Sequence, residues 1–594
     1  MLLQKLREYA DRRMSLPPTL YSESPVRYIV ELDEGGRLLN PKPTDTSDPA
    51  SPRTKRGERR PVPQVQRASG IKALLLADNG EYTLGRAREK SDPERVAQCH
   101  EAYVTLVKRC ADRTREPAVA AVREFLRGDA VGQLSLPADF DAGANITFRV
   151  NGVFPIDLPA VQAFWAEVND PSQDADKPPQ VMQCLICGQE RPALDRLQGK
   201  IKGVPGGQTS GTAIISANAK AFESYGLSAS LIAPTCGVCG ERFTKAANHL
   251  LSDRASHILI GNAAFIFWTR EEVPFSFVNY FDNPNATDVR ALVESARTGR
   301  VVAEVDATEF YATVLSGSGG RAVVRDWIDT TVGEMKENLT MWFARQRIVD
   351  AWGKEGRPLG LYALAAATVR DPQKELAPPT PRALLRAALT GSPLPYGLLY
   401  QAVRRNRAEQ NIDYGRATLI KLVLQSQRST TKEEMDRMIQ LDPDNVNPAY
   451  RCGRLLAVLA DAQHLAVNNT AVVDRFFGTA SSAPASVFGR LLRGAQPHLS
   501  KLQRDKPGSY AGLQRRLEEI MAGIDGFPRT LALEEQAIFA LGFYHQRAYD
   551  RAERQKAAER RKTAASGASD EGDDYEESAE EDLTQMKNEE DQND

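Results

Sequence analysis

Apolar positions in the first 375 residues change period several times, so this stretch mixes helices and strands. Residues Met1–Met14 read as a short amphipathic helix that Pro17 and Pro18 stop. Val26–Leu32 and Arg37–Leu39 carry β-branched and aromatic residues around Asp33-Glu34-Gly35-Gly36, the pattern of a hairpin. Residues 41–70 are proline-rich with little periodicity and read as a loop. Strand character resumes over Ile71–Leu84, and Pro93–Leu126 has helical spacing through Val96, Tyr103, Val104, Val107 and Val119. Ile146–Leu158 alternates like a strand, and Ala263–Trp268 is an unbroken apolar run of buried-strand length. Phe310–Leu315 and Ala322–Ile328 flank Gly317-Ser318-Gly319-Gly320 as a second hairpin.

The pattern changes near Pro378-Pro379-Thr380-Pro381. From Arg382 to about Lys562 the apolar residues recur at helical spacing, broken by Gly and Pro, which predicts a bundle of about four to six helices. The expected class is α+β. A mixed α/β N-terminal region (1–180) is followed by an inserted zinc-knuckle module (181–250), the rest of the mixed region (251–375), a helical bundle (376–562) and a disordered acidic tail (563–594).

Charge changes this picture. The 594 residues carry 76 Lys and Arg against 78 Asp and Glu, a formal net of −2. Asp570–Asp594 alone holds 13 acids and one base, Lys587. Without that tail the chain has 75 bases against 65 acids, a body of +10. A basic body suits polyanion partners. No run of about 18 uncharged apolar residues is present, and the first residues lack the apolar core of a secretory signal. The expected compartment is the cytoplasm.

Seven cysteines are sparse for this length, yet four form two C-x-x-C pairs: Cys184 with Cys187, and Cys236 with Cys239. Each pair offers two thiolates from one tight turn, and together they complete a tetrahedral zinc site. Four protein ligands leave no open position, so the expected zinc is structural. The 48 intervening residues are many for a ribbon, but loop closure costs only logarithmically more with length. They include Gly199–Gly211, a glycine-rich turn with Lys200, Lys202, Gln208, Thr209 and Ser210. Such a turn lets backbone N–H groups approach phosphate while lysines neutralise it. It lacks the order of a Walker A loop. Asn218 follows, a side chain able to read a base edge. A second basic stretch comprises Arg53, Lys55, Arg56, Arg59, Arg60 and Arg67, followed by Lys72, and reads as an arm lying on phosphates. A third is Arg404, Arg405, Asn406 and Arg407, with Arg416 and Lys421 nearby.

Catalytic patterns are absent. None of the six histidines joins an H-E-x-x-H or H-x-E pattern, Thr235 interrupts the P-C-x-x-C order of a zinc deaminase, and no G-x-S-x-G occurs. The expectation is a non-enzyme. Two alternatives stand beside it: a zinc-dependent nucleic-acid-modifying enzyme, and a zinc-stabilised assembly scaffold that never touches DNA.

Several segments together resemble the Csd-type large subunit of the type I-C CRISPR Cascade. They are Met1–Leu6, Asp78–Gly85, Lys200–Gly203 through Gln208–Gly211 to Ala221–Gly226, Asn447–Leu455 and Glu535–Arg547. The resemblance spans residues 1 to about 548 and leaves out the acidic tail. It implies a subunit that recognises the protospacer-adjacent motif in double-stranded DNA, aids duplex opening and supports the R-loop, while guide RNA pairing reads the remaining sequence. The implied partners are target DNA and its displaced strand, guide RNA, the other Cascade subunits (backbone, guide-processing and small subunits) and a recruited helicase-nuclease. It also implies that the helical part resembles a small subunit that can be translated separately from an internal start, for which Met435 and Met438 are candidates.

Overall fold

The computed structural model describes residues 1–18, 20–48, 56–65, 70–169, 180–197, 199–217, 219–273, 277–298, 306–428, 431–468 and 471–566. The fold is α+β, with a helical C-terminal region. It divides into two compact units: residues 1–253 with 270–272 and 316–323, and the remainder.

The first unit is built on a five-stranded mixed sheet. Its long strand is β1 (Tyr21–Leu32), paired antiparallel with β2 (Thr44–Asp45) and β3 (Glu58–Pro63). On its other edge β1 runs parallel to β5 (Asn145–Val150), which also pairs with β4 (Ala77–Asn79). The hairpin expected at Val26–Leu39 is therefore only a tight turn closed by one bridge, Leu32 to Leu38. The strand finds its real partners far along the chain. The expected strand through Leu84 ends at Asn79, whose side chain caps the next turn by accepting from the Glu81 and Tyr82 N–H groups. The proline-rich stretch holds β3 as an edge strand, where prolines cost no ladder bond.

Helix α1 (Leu2–Arg13) precedes the sheet. Helices α2 (Pro93–Thr114) and α3 (Pro117–Arg127) replace the single helical run expected there, because Arg115 turns left-handed and Pro117 starts a new helix. Helix α4 is Pro159–Val168. Their apolar faces, with Tyr103, Val107, Val122, Phe125 and Trp165, bury against Tyr28, Ile146 and Phe148 of the sheet. The module that follows holds a short hairpin, β6 (Val181–Gln183) and β7 (Glu190–Pro192), and helix α5 (Gly237–Ser252).

The second unit holds most of a four-stranded antiparallel sheet from β8 (His257–Ile260), β9 (Ala263–Thr269), β10 (Glu309–Ser318) and β11 (Arg321–Thr331), in the order β11-β10-β9-β8; the tip of the β10–β11 hairpin, residues 316–323, belongs to the first unit. Every residue of β9 is buried, as its unbroken apolar run predicts. Helix α6 (Val332–Gln346) leads into the bundle: α7 (Pro379–Thr390), α8 (Tyr396–Glu409), α9 (Tyr414–Ser426), α10 (Lys432–Arg437), α11 (Pro448–Val467), α12 (Ala471–Ala480), α13 (Pro484–Asp505), α14 (Pro507–Ala522) and α15 (Leu533–Ser566). These are nine helices among the described residues, more than periodicity alone separates, because Pro484 and Pro507 each open a fresh helix within one continuous apolar pattern. Helices α11 and α15 lie against each other so closely that a Cβ on Gly453 would stand 2.0 Å from the Phe539 carbonyl oxygen. Among the described residues no helix is long and apolar enough to cross a membrane.

Candidate metal centre and nucleic-acid interface

The first cysteine pair sits in the turn between β6 and β7. Cys184 N–H donates to the Gln189 carbonyl at 2.9 Å, and Gly188 N–H donates back to the Cys184 carbonyl at 2.8 Å. The second pair opens α5, with Cys236 at its N-cap and Gly240 N–H donating to the Cys236 carbonyl at 3.0 Å. Backbone bonds stitch the two knuckles together: Leu185 N–H to the Pro234 carbonyl (2.9 Å) and Leu194 N–H to the Thr235 carbonyl (3.1 Å). All four thiol sulfurs lie within 4.8 Å of one another, three of them on buried residues. Four sulfurs about 2.3 Å from a zinc ion stand about 3.8 Å apart, so this cluster accepts a tetrahedral metal with little movement. Burial pushes the Cys184 thiol up, but N–H groups of Cys236, Cys187 and Ile186 outweigh it and settle the thiol at about 7. Burial moves Cys236 and Cys239 upward. A cation among the sulfurs would offset that cost by holding all four as thiolates.

Helix α5 carries this anchor to the glycine-rich turn. Asn248 accepts from the Lys202 N–H at 2.8 Å and donates from its amide to the Lys200 carbonyl at 3.0 Å. Gly199 passes so close to α5 that a Cβ there would meet Thr244 at 2.6 Å. The turn closes on itself through Ile201 and Thr212, which exchange backbone bonds of 2.8 and 2.7 Å. Its other side is held by the tip of the β10–β11 hairpin. Gly317 N–H donates to the Pro205 carbonyl (2.6 Å), Gln208 N–H to Gly319 (3.1 Å), Ala213 N–H to Gly320 (2.8 Å) and Ala322 N–H to Ala213 (2.9 Å). Only glycine fits at that seam, since a Cβ on Gly317 would lie 2.1 Å from the Gly207 nitrogen.

Lys200, Lys202, Gln208, Thr209 and Ser210 are all exposed on this clamped turn, and neither lysine enters an ion pair among the described residues. Asn218, Arg53, Lys55 and Arg67 lie outside the described residues. Of the remaining basic stretch, Arg56 and Lys72 are exposed. Arg59 lies on β3 and donates to the Glu23 carbonyl at 3.1 Å. Arg60 pairs with Asp157 at 3.2 Å and covers the Phe154 ring at 3.7 Å. The third stretch divides likewise. Arg405 pairs with Glu409, Arg416 with Glu409 and Asp413, and buried Lys421 donates to the Arg345 and Arg347 carbonyls. Arg404 and Arg407 instead line a cleft of about 620 Å³ with Tyr400 and Arg475, whose described lining holds no carboxylate.

Asn248, Thr244 and the hairpin tip are invisible to sequence reasoning as site residues. Asn248 is one polar residue on an amphipathic helix, and Gly317–Gly320 reads only as a turn. Nothing in one sequence signals that this turn meets a loop more than one hundred residues earlier.

Residues 3–549 match the profile of the family described as CRISPR-associated protein (Cas_Csd1). The chain belongs to the Cas_Csd1 family. Membership makes it the large subunit of a type I-C Cascade and implies assembly with other Cascade subunits and CRISPR RNA. The match takes in both cysteine pairs and the glycine-rich turn, and stops before the acidic tail, as Cas_Csd1 resemblance in the sequence predicts. No curated protein matches the chain.

Proposed function

We propose that this chain is the non-catalytic subunit that reads the protospacer-adjacent motif in double-stranded DNA, aids opening of the duplex, stabilises the R-loop and supports recruitment of a separate helicase-nuclease. The observation that carries this reading is the glycine-rich turn. Two unpaired lysines and three short polar side chains project from a backbone clamped by α5 on one side and a hairpin tip on the other. Phosphate contacts from such a turn set register, and a rigid backbone lets Gln208, Thr209 or Ser210 meet a base edge at fixed height. The four cysteines hold zinc as a structural clasp at the root of α5, and the cluster offers no open ligand position for hydrolysis. The cleft of Arg404, Arg407 and Arg475 supplies a second anion-binding surface, suited to the displaced strand.

The test is selection by the assembled complex from duplexes whose target is flanked by randomised sequence. Enrichment of one short flanking motif, with the DNA left uncut by the complex alone, is the expected result. Equal recovery of all flanks contradicts motif reading, and metal-dependent cleavage by this chain supports the enzyme alternative instead.

A further inference from the structure

Beyond the glycine-rich turn the chain reverses at Tyr225–Gly226. Ser224 and Leu227 bridge across the reversal, with Leu227 N–H donating to the Ser224 carbonyl at 2.9 Å. Both central residues have positive φ, +53° for Tyr225 and +73° for Gly226, the signature of a type I′ turn. Glycine takes its place freely. The preceding position ordinarily holds Asn, Asp or Gly, and a tyrosine there keeps a left-handed backbone that its Cβ opposes. Burial gives nothing in return, because Tyr225 is 99% exposed. A ring that suits neither its turn nor the core marks a place where folding yields to an external contact.

The surroundings specify that contact. Phe222, three residues earlier, is 46% exposed, and the Arg321 guanidinium lies 4.1 Å over its ring. Arg321 also bridges to Ala213, so the segment leading to Tyr225 is tied to the hairpin tip that clamps the Lys200–Ser210 turn. Lys220 is exposed in the same stretch, and so is one acid, Glu223. An exposed aromatic ring stacks on a nucleobase while a neighbouring exposed cation, here Lys220, holds the adjoining phosphate.

We propose that Tyr225 is a stacking platform for an unpaired nucleobase, held out on a rigid turn where the duplex first opens. This rests on the DNA-reading role above. Tyr225→Asn is the decisive variant, since asparagine suits the turn better than tyrosine and removes only the ring. Assembled complexes carrying Tyr225, Tyr225→Asn or Tyr225→Trp are titrated with target duplex. The same titrations are repeated with an abasic site at each of the first three target positions in turn, on either strand. The expected result is an affinity loss of about ten-fold or more for Tyr225→Asn, retention for Tyr225→Trp, and disappearance of the tyrosine–asparagine difference at one abasic position. Equal affinities on intact duplex overturn the platform and leave motif reading standing. A loss that persists at every abasic position also overturns it, because the ring then acts through the protein. Failure of the wild-type complex to bind any duplex removes the DNA-reading role itself, and the platform with it.

Discussion

Asn248 lies nine residues along α5 from Cys239, and its amide makes two hydrogen bonds to the backbone of the lysine turn. These bonds convert the position of a helix rooted in the cysteine cluster into the position of Lys200 and Lys202. Because the amide is exposed, Asn248→Ala should lower unfolding free energy by only about 1 kcal/mol. Target affinity of the assembled complex should fall with it, and unchanged affinity would mean that the turn needs no clamp. A second residue-scale prediction concerns His545 in the bundle. Asp442 N–H donates to the Tyr450 oxygen, and the Tyr450 hydroxyl shares a hydrogen bond of 2.9 Å with His545 Nδ1. Burial, with Lys421 close by, lowers the His545 value from 6.5 to about 3. A histidine lowered in the fold is protonated first in the unfolded chain. Its contribution is therefore complete above pH 6.5 and is lost as pH falls towards 3, at about 1.4 kcal/mol per unit. Denaturant midpoints measured between pH 7.5 and 5 should fall less steeply for His545→Asn than for wild type, and parallel curves would contradict the buried neutral ring.

Among the elements, the hairpin that carries the first cysteine pair has little support of its own. Its β6–β7 ladder pairs three residues with three, too short to persist without help. The metal should therefore hold it. Purified protein should contain about one zinc, and Cys184→Ser/Cys236→Ser should lose it. Chelation should speed hydrogen exchange at Leu185, Gly188 and Leu194 while amides of α11 and α15 stay protected. Uniform protection with and without chelator would show that the cysteines are not a clasp. The sequence made this cluster legible, because C-x-x-C pairs act through short-range spacing that survives any fold. Single elements were legible for the same reason: β9 from its apolar run, and the β10–β11 hairpin from its glycines. Pairing was not. Parallel β1–β5 contact spans more than one hundred residues, and the bundle's helix count depends on where prolines fall within one unbroken apolar pattern.

Over the whole molecule, charge is divided by position. The sequence outside residues 570–594 carries +10, and those residues carry −12. Many arginines of the basic body are consumed in ion pairs, as Arg60, Arg405 and Arg416 are, so total charge overstates the binding surface. Among the described residues, the open cations include Lys200 and Lys202 on the turn, and Arg404, Arg407 and Arg475 around a cleft in the second unit. The most direct test of the account is the salt dependence of target binding by complexes with and without Lys200→Ala/Lys202→Ala. Loss of two phosphate contacts should weaken binding at low salt and make the slope of log K against log salt shallower by about 1.8. Identical affinity and identical slope would show that this turn does not touch the DNA.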